Sequence, residues 1–173
     1  ISECLVGSEM CIRDRRGKAY YVPGIGVDVK KISSMQVDRA TKRKELGIPE
    51  DAFAFLTVGE LIPRKGHELL IRAFAKSNIS GAQLLICGSG REKEHLTALI
   101  KELGISDRAH LLGFRNDIYE LLKCADAFVF PSKQEGLPVA LMEAMAAGLP
   151  CIASRIRGNV AVSYTHLRAH ETL

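Results

Sequence analysis

No apolar run in this 173-residue sequence approaches the roughly 18 residues that a membrane-spanning helix requires. The formal net charge is only +4, too mild to argue for nucleic acid, although it favours anionic ligands and weak contact with an acidic membrane surface. The five cysteines, at positions 4, 11, 87, 124 and 151, have no metal-ligand spacing and no secretory context, so neither a zinc site nor a disulfide framework is expected. Cys87, Cys124 and Cys151 stand in apolar stretches and read as small hydrophobes in a reducing compartment. No internal repeat or low-complexity tract interrupts the chain. No D-x-D-like pair stands at a turn to hold a divalent cation. What remains is a chain of single-domain length, 47% hydrophobic, able to bury a core and read as soluble and globular.

The most structured stretch is Ser132 to Pro150, SKQEGLPVALMEAMAAGLP. Ala127-Phe128-Val129-Phe130, closed by Pro131, precedes it and reads as a strand buried on both faces. Glu135-Gly136-Leu137-Pro138 makes a turn, with Pro138 suited to the first turn of a helix, where its missing N–H costs nothing. Leu141, Met142, Met145 and Ala146 recur at helical spacing, and Gly148 is placed for a left-handed cap, which predicts a helix of about three turns. Its free amides and positive dipole end face the carboxyl edge of a sheet, where a phosphate or sugar oxygen is stabilised. Glu135 and Glu143 frame that edge, about two helical turns apart. Paired carboxylates suit sugar hydroxyls, which donate hydrogen bonds to ionised oxygens. Two ordinary solvated glutamates fit the spacing equally well.

The two ends follow another logic. Cys4 to Asp14 read forward, against Thr172 to Val162 read backward, can be encoded by complementary codons at all eleven pairs: Met10 with His166 is ATG against CAT, and Arg13 with Ser163 is AGA against TCT. Residues 1–15 and 161–173 therefore resemble one translated adapter read at both ends in opposite directions, flanking residues 16–160. His166 and His170, although spaced H-x-x-x-H, are on this reading no metal site. Between the flanks stand 21 Lys plus Arg against 16 Asp plus Glu, so the mild basic excess persists.

Taken in order, Ala19 to Val22 is a short strand candidate and Pro23 to Asp28 a loop. Val37 to Leu46 is a basic helix whose Arg39, Lys42, Arg43 and Lys44 read as a solvated face. Phe53 to Val58 is a buried strand. It runs into the loop Gly59 to Gly66 with adjacent cations Arg64 and Lys65, before a helix presenting Leu69, Leu70, Ala73 and Phe74. Cations after a strand stand where open α/β sheets bind ligands. Leu84 to Cys87 is the next strand, followed by Gly88-Ser89-Gly90 and a helix from Glu92 to Leu103. Lys93 stands where a dinucleotide loop needs its third glycine, so a nicotinamide site is not expected. A strand from Asp107 to Leu112, a loop at Gly113 to Asn116, a helix from Ile118 to Cys124 and a strand at Cys151 to Ala153 complete the series. This alternation predicts an α/β, Rossmann-like parallel sheet with helices on both faces.

VGELIPRKGHELLIRAF, LLICGSG, LLGFRNDIYELLKCADAFVFPS and EGLPVALMEAMAAGLPCIAS, in that order, resemble the C-terminal nucleotide-sugar-binding domain of retaining glycosyltransferases with the GT-B fold, called group 1 or family 4. The resemblance covers about residues 21–158. It implies a truncated C-terminal half, with the acceptor-shaping N-terminal domain missing. By that resemblance Glu135 lies beside the donor sugar, the Gly136, Leu137 and Pro138 turn meets sugar and phosphate, and Glu143 binds the ribose. Lys65 pairs with the diphosphate, and Phe114 and Arg115 lie in the loop that cradles the base. Lys65 and Glu135 are then the catalytic candidates. Glu60 stands where many relatives carry arginine; Arg64 is the candidate replacement cation, and Glu60 is a candidate partner for Lys65. The implied reaction moves a sugar from a nucleoside diphosphate to a glycan or lipid-linked acceptor with retention, in cell-surface polysaccharide synthesis. The implied setting is the cytoplasm, at the inner face of the plasma membrane, with peripheral membrane contact, no nucleic acid and no cofactor beyond the donor. A non-catalytic nucleotide- or phosphosugar-binding module and a sugar-nucleotide epimerase-like domain remain open; sugar transfer to an acceptor separates the glycosyltransferase from the binding module, and epimer formation without acceptor marks the epimerase.

The adapter reading predicts that removing residues 1–15 and 161–173 leaves thermal stability nearly unchanged. A melting curve that drops by several degrees after the deletion would count against it.

Overall fold

Short apolar runs bounded by glycine or proline become the strands of a parallel sheet. The computed structural model describes residues 26–77 and 79–162, together with the backbone of three earlier strands, β1 (Leu5–Val6), β2 (Glu9–Arg13) and β3 (Ala19–Pro23). Two short helices follow, α1 (Val29–Ser34) and α2 (Arg39–Glu45). Then come β4 (Ala54–Val58), a 3-10 turn at Pro63–Lys65, α3 (His67–Ser77), β5 (Gln83–Cys87), α4 (Lys93–Glu102), β6 (Ala109–Gly113), α5 (Ile118–Cys124), β7 (Ala127–Phe130), α6 (Val139–Ala146) and β8 (Cys151–Ala153). Residues 157–162 are again helical.

Strands β4 to β8 form one sheet in the order β6-β5-β4-β7-β8, and every pairing is parallel. Side-chain alternation along the strands divides the interior into two cores. Leu84 and Ile86 join Leu70, Ile71 and Phe74 of α3 and Leu96, Leu99 and Ile100 of α4 on one face. Leu85, Cys87 and Leu56 join Leu121 and Leu122 of α5 and Leu141 and Ala144 of α6 on the other. The expected Rossmann-like architecture is thus present. After β6 the chain returns to the opposite side of β4 and places its next helices on the opposite face. The order of strands therefore reverses between β4 and β7, the position at which open α/β sheets bind ligands.

Several expectations need correction. Helix α1 lies where the sequence reads only as connection; Asp28 caps it by accepting the Lys31 amide at 3.0 Å, and the single buried residue, Ile32, is too sparse a signal for periodicity to register. On α3, Leu69 is exposed and Ile71 is fully buried, because the apolar stripe runs along Leu70, Ile71 and Phe74. Helix α6 is eight residues long, about two turns rather than three. Residues 1–15 carry no strand period, yet β2 pairs with β3 from Glu9 opposite Pro23 to Arg13 opposite Ala19. Ladder bonds are made by backbone and need no apolar alternation. This antiparallel sheet is not hydrogen-bonded to the parallel one. His166 and His170 lie outside the described residues.

The basic helix α2 is the largest departure. Arg43 is 1% exposed, and its guanidinium donates to the carbonyls of Cys124 at 3.1 Å, Glu50 at 2.6 Å and Ala52 at 2.7 Å, and to the Asp126 carboxylate at 2.6 Å. Asp126 also accepts the Ala54 amide, at 2.7 Å, and pairs with Arg39. Burial raises the Asp126 carboxyl, but the Ala54 amide and the two arginines outweigh it and hold it below the usual range. Lys42 pairs with Glu45, Asp117 and Glu120 at 2.6–2.9 Å, and the Asp117 and Glu120 carboxylates raise its pKa. The cations tie α2 to α5 and to the ends of β4 and β7. Replacing Arg43 by methionine removes one of the two arginines that neutralise Asp126 and takes a charged donor from the Cys124, Glu50 and Ala52 carbonyls. We expect a loss of about 3–5 kcal/mol, measured as a lower urea midpoint. A midpoint within error of wild type would show that the fold does not depend on this anchor.

Candidate functional site

The loops after β4 and β7 meet over the point where strand order reverses. The Lys65 stem runs over the end of β4; a Cβ on Gly59 would lie 3.6 Å from Lys65 Cδ. Lys65 Nζ then reaches Glu135 Oε1 at 2.6 Å, with the two side chains 15% and 7% exposed. The ammonium also stands 5.5 Å from the centre of the Phe130 ring, where the ring face attracts a cation. Glu60 is exposed and is not the partner of Lys65.

Backbone interactions fix the two loops to each other. The Lys133 amide donates to the Arg64 carbonyl at 2.7 Å, and buried Ser132 Oγ donates to the Arg64 and Gln134 carbonyls at 3.2 Å. Gly66 has φ of +73° and packs so closely that a Cβ would come 2.4 Å from the Pro131 carbonyl oxygen; no side chain fits without moving one loop off the other. Gly158 does the same for the turn itself, since a Cβ there would lie 2.6 Å from the Glu135 carbonyl oxygen. Ser154 Oγ donates to the Ser132 carbonyl, and the buried Asn159 amide donates to the Ser154 carbonyl at 2.9 Å. Sequence reasoning assigned no role to Ser132, Ser154, Gly158 or Asn159: the first three touch the backbone of segments far apart in the chain, and Asn159 acts only through Ser154.

Glu143 projects from the middle of α6 and accepts a hydrogen bond from Tyr119 at 3.2 Å. Burial raises its carboxyl, and the Tyr119 hydroxyl only partly offsets this. No hydrogen bond or ion pair joins Glu143 to Glu135 among the described residues. Between them, Gly136 and Leu137 are exposed and Pro138 is buried as the residue that caps α6, without a side-chain cap. Phe114 is 74% exposed after β6. Arg115 is held by Asp117 and, at 3.0 Å, by Glu45. The structure therefore joins Lys65 to Glu135, keeps Glu143 on the adjoining helix, and leaves Phe114 and Arg115 at the carboxyl edge without contact to either. Arg64 is exposed and faces a different concavity.

His67, the first residue of α3, is 3% exposed; neither ring nitrogen makes a well-formed hydrogen bond, and the Gly59 and Glu60 backbone lies beside the ring. Burial pushes its pKa down, so it stands neutral under the loop that presents Lys65. Cys87 is buried and its thiol is pushed up to about 12 by burial, consistent with a packing role. The described residues contain no group of three metal-capable side chains. None of their helices is long and apolar enough to cross a membrane.

These features define an α/β domain whose ligand edge carries one ion pair across a switch point, with a second carboxylate on the following helix. The model of the family described as glycosyl transferases group 1 matches residues 38–166, and the chain belongs to that family. It is 35% identical over 159 residues to the UDP-Gal:alpha-D-GlcNAc-diphosphoundecaprenol alpha-1,3-galactosyltransferase of Escherichia coli, a match covering 87% of the chain and 41% of that enzyme. The crystal structure of WaaG, a glycosyltransferase involved in lipopolysaccharide biosynthesis, superposes with a TM-score of 0.70 at 31% identity, over 84% of this chain and 39% of that one. Anabaena Alr3699/HepE in complex with UDP-glucose gives 0.72 at 27% identity, over 79% and 39%. The chain spans about two fifths of the length of these relatives.

Proposed function

We propose that this chain is the donor-binding half of a retaining glycosyltransferase that moves a sugar from a nucleoside diphosphate to a glycan or lipid-linked acceptor in cell-surface polysaccharide synthesis. The observation that carries the reading is the Lys65–Glu135 pair, 2.6 Å apart over the switch point. The bond from the anomeric carbon to the diphosphate breaks with its electrons moving onto phosphate, while the acceptor hydroxyl oxygen bonds to that carbon on the same face and its proton passes to the departing diphosphate. Lys65 meets the charge that grows on the departing oxygen, and the reading invokes no metal. Glu135, released from Lys65 as phosphate takes its place, accepts hydrogen bonds from the sugar. Glu143 accepts them from the ribose. Gly136 to Pro138 supply backbone contacts, and the Phe114–Arg115 loop lies beside the base. Complexes of structural neighbours with UDP and UDP-glucose favour a uridine donor. A peripheral position at the cytoplasmic face of the membrane completes the reading, supported by the lipid-linked substrate in the name of one relative.

Lys65→Ala in the full-length enzyme is expected to lower the turnover number about a hundredfold, near 3 kcal/mol, since the lost stabilisation is greatest in the transition state. Steady-state kinetics with calorimetric UDP binding checks this. Unchanged turnover and unchanged UDP affinity would remove Lys65 from the site.

Glu143→Gln should instead raise the Michaelis constant for the donor by the equivalent of roughly 1.5–3 kcal/mol, because ribose is held alike in ground and transition states. Its carboxyl is raised by burial, and only the carboxylate accepts two ribose hydroxyls. Donor affinity should therefore fall as pH is lowered through a midpoint above the usual glutamate value of 4.5. The Gln variant should lack that titration. A wild-type affinity that is flat across the acid range would contradict the ribose assignment.

A further inference from the structure

Helices α5 and α6 stand before and after β7 in the chain and share one face of the sheet, where Leu121 and Leu122 join Leu141 and Ala144. Tyr119 is the second residue of α5, and Glu143 is the fifth of α6. Side chains on a helix tilt toward its amino end, and α5 starts at the carboxyl edge of the sheet. The Tyr119 phenol therefore leans toward the ligand edge, and its hydroxyl donates to Glu143 Oε1 at 3.2 Å. This is the one hydrogen bond that the Glu143 carboxylate makes among the described residues. Both side chains keep some access to water, so a ligand can reach the pair.

A third helix holds the ring. Lys31 of α1 places its ammonium 5.7 Å from the centre of the Tyr119 ring, where the ring face attracts a cation. Lys123, one turn along α5, donates to the carbonyls of Ser33 at 3.1 Å and Ala147 at 3.4 Å, which ties α5 to the ends of α1 and α6. The other charged groups nearby have partners of their own: Asp28 accepts the Lys31 amide, Glu120 pairs with Lys42, and Lys65 pairs with Glu135. None of Asp28, Lys31 and Lys123 forms an ion pair with Glu143 among the described residues. The Tyr119 hydroxyl is thus the group that offsets the burial of that carboxylate. Burial and the Glu143 charge push the Tyr119 pKa above its ordinary value, so the hydroxyl keeps its proton and remains the donor.

We propose that Tyr119 is a positioning residue for the ribose of the donor: its hydroxyl holds Glu143 Oε1 and turns the remaining lone pairs of the carboxylate toward the ribose hydroxyls. The inference rests on the assignment of Glu143 to the ribose. A glutamate that is already oriented has less side-chain freedom to lose when the hydroxyls bind. An ionised carboxylate only accepts hydrogen bonds, whereas a protonated one gives up part of that capacity. A donor to the charged form favours it, so Tyr119 acts on the charge of Glu143 as well as on its direction. The second action grows as pH falls toward the range in which Glu143 takes up a proton. A tyrosine that only packed α5 against its neighbours would have no such dependence.

The test is calorimetric titration of the full-length enzyme with UDP, in wild type, Tyr119→Phe, Glu143→Gln and the double variant. Tyr119→Phe keeps the ring and its packing and removes only the hydroxyl. At about pH 8, where Glu143 is ionised in wild type and in Tyr119→Phe, the variant should bind UDP about fivefold more weakly. Toward about pH 5 that ratio should widen, because without the hydroxyl Glu143 takes up its proton at a higher pH. The phosphate of UDP titrates alike in all four proteins and cancels in the ratio. On the Glu143→Gln background, Tyr119→Phe should have the same small effect at both pH values. Unchanged affinity in Tyr119→Phe, a ratio that stays constant with pH, or a widening that persists in the double variant overturns the proposal. If Glu143→Gln weakens UDP while Tyr119→Phe gives one of those results, the ribose assignment stands and this inference alone fails. If Glu143→Gln binds UDP like wild type, both fail.

Discussion

The ion pair between Lys65 and Glu135 is the interaction that ties the ligand edge together. It links a loop after β4 to a loop after β7, and those two strands are neighbours only because the chain reverses its order in the sheet there. A pair with so little access to water adds little to stability by itself. Withdrawing each ion from water costs on the order of several kcal/mol, and two well-packed apolar side chains do as well or better. Each charge is compensated by the other, and the ammonium over the Phe130 ring is not left unpaired.

The surroundings serve to hold that pair in place. Gly66 against Pro131, Gly158 against Glu135, and Ser132 against Arg64 are contacts to backbone, made where side chains would hold the loops apart. Electrostatic stabilisation of a departing diphosphate depends on charges that need not reorganise as the reaction proceeds. Loops pinned by backbone hydrogen bonds satisfy that condition better than loops pinned by long side chains. Farther back, Arg43 and Asp126 hold the starts of β4 and β7 together under α2. The same two strands are thus clamped at both ends, each time by an ion pair with little access to water.

Much of this was legible in the sequence, for identifiable reasons. The strands β4, β5 and β7 are apolar runs with glycine or proline after them, a signal that comes from burial on both faces and does not depend on the rest of the fold. Lys65 and Glu135 could be selected because each follows such a strand. Their contact could not, since seventy residues separate them and strand order is set by packing across the whole sheet. The burial of Lys42 and Arg43 was hidden for a related reason: a basic helix reads as solvated until its carboxylate and carbonyl partners, from residues 117, 120 and 126, are brought beneath it. Helix α1, with one buried residue, left no period to find.

Glu60 shows how position and partner together decide what a charge does. In the sequence it stands five residues before Lys65 and invites the inference that the two neutralise each other. In the fold the lysine turns toward β7 and Glu135, while Glu60 stays in solvent on the β5 side, beside Arg64 and Arg91. The carboxylate consequently does not compete for the cation assigned to the leaving group. It lines instead a concavity that Arg64 and Arg91 also line. The acidic residue at this position therefore leaves Lys65 to Glu135 and lines, together with Arg64 and Arg91, an open concavity beside that pair.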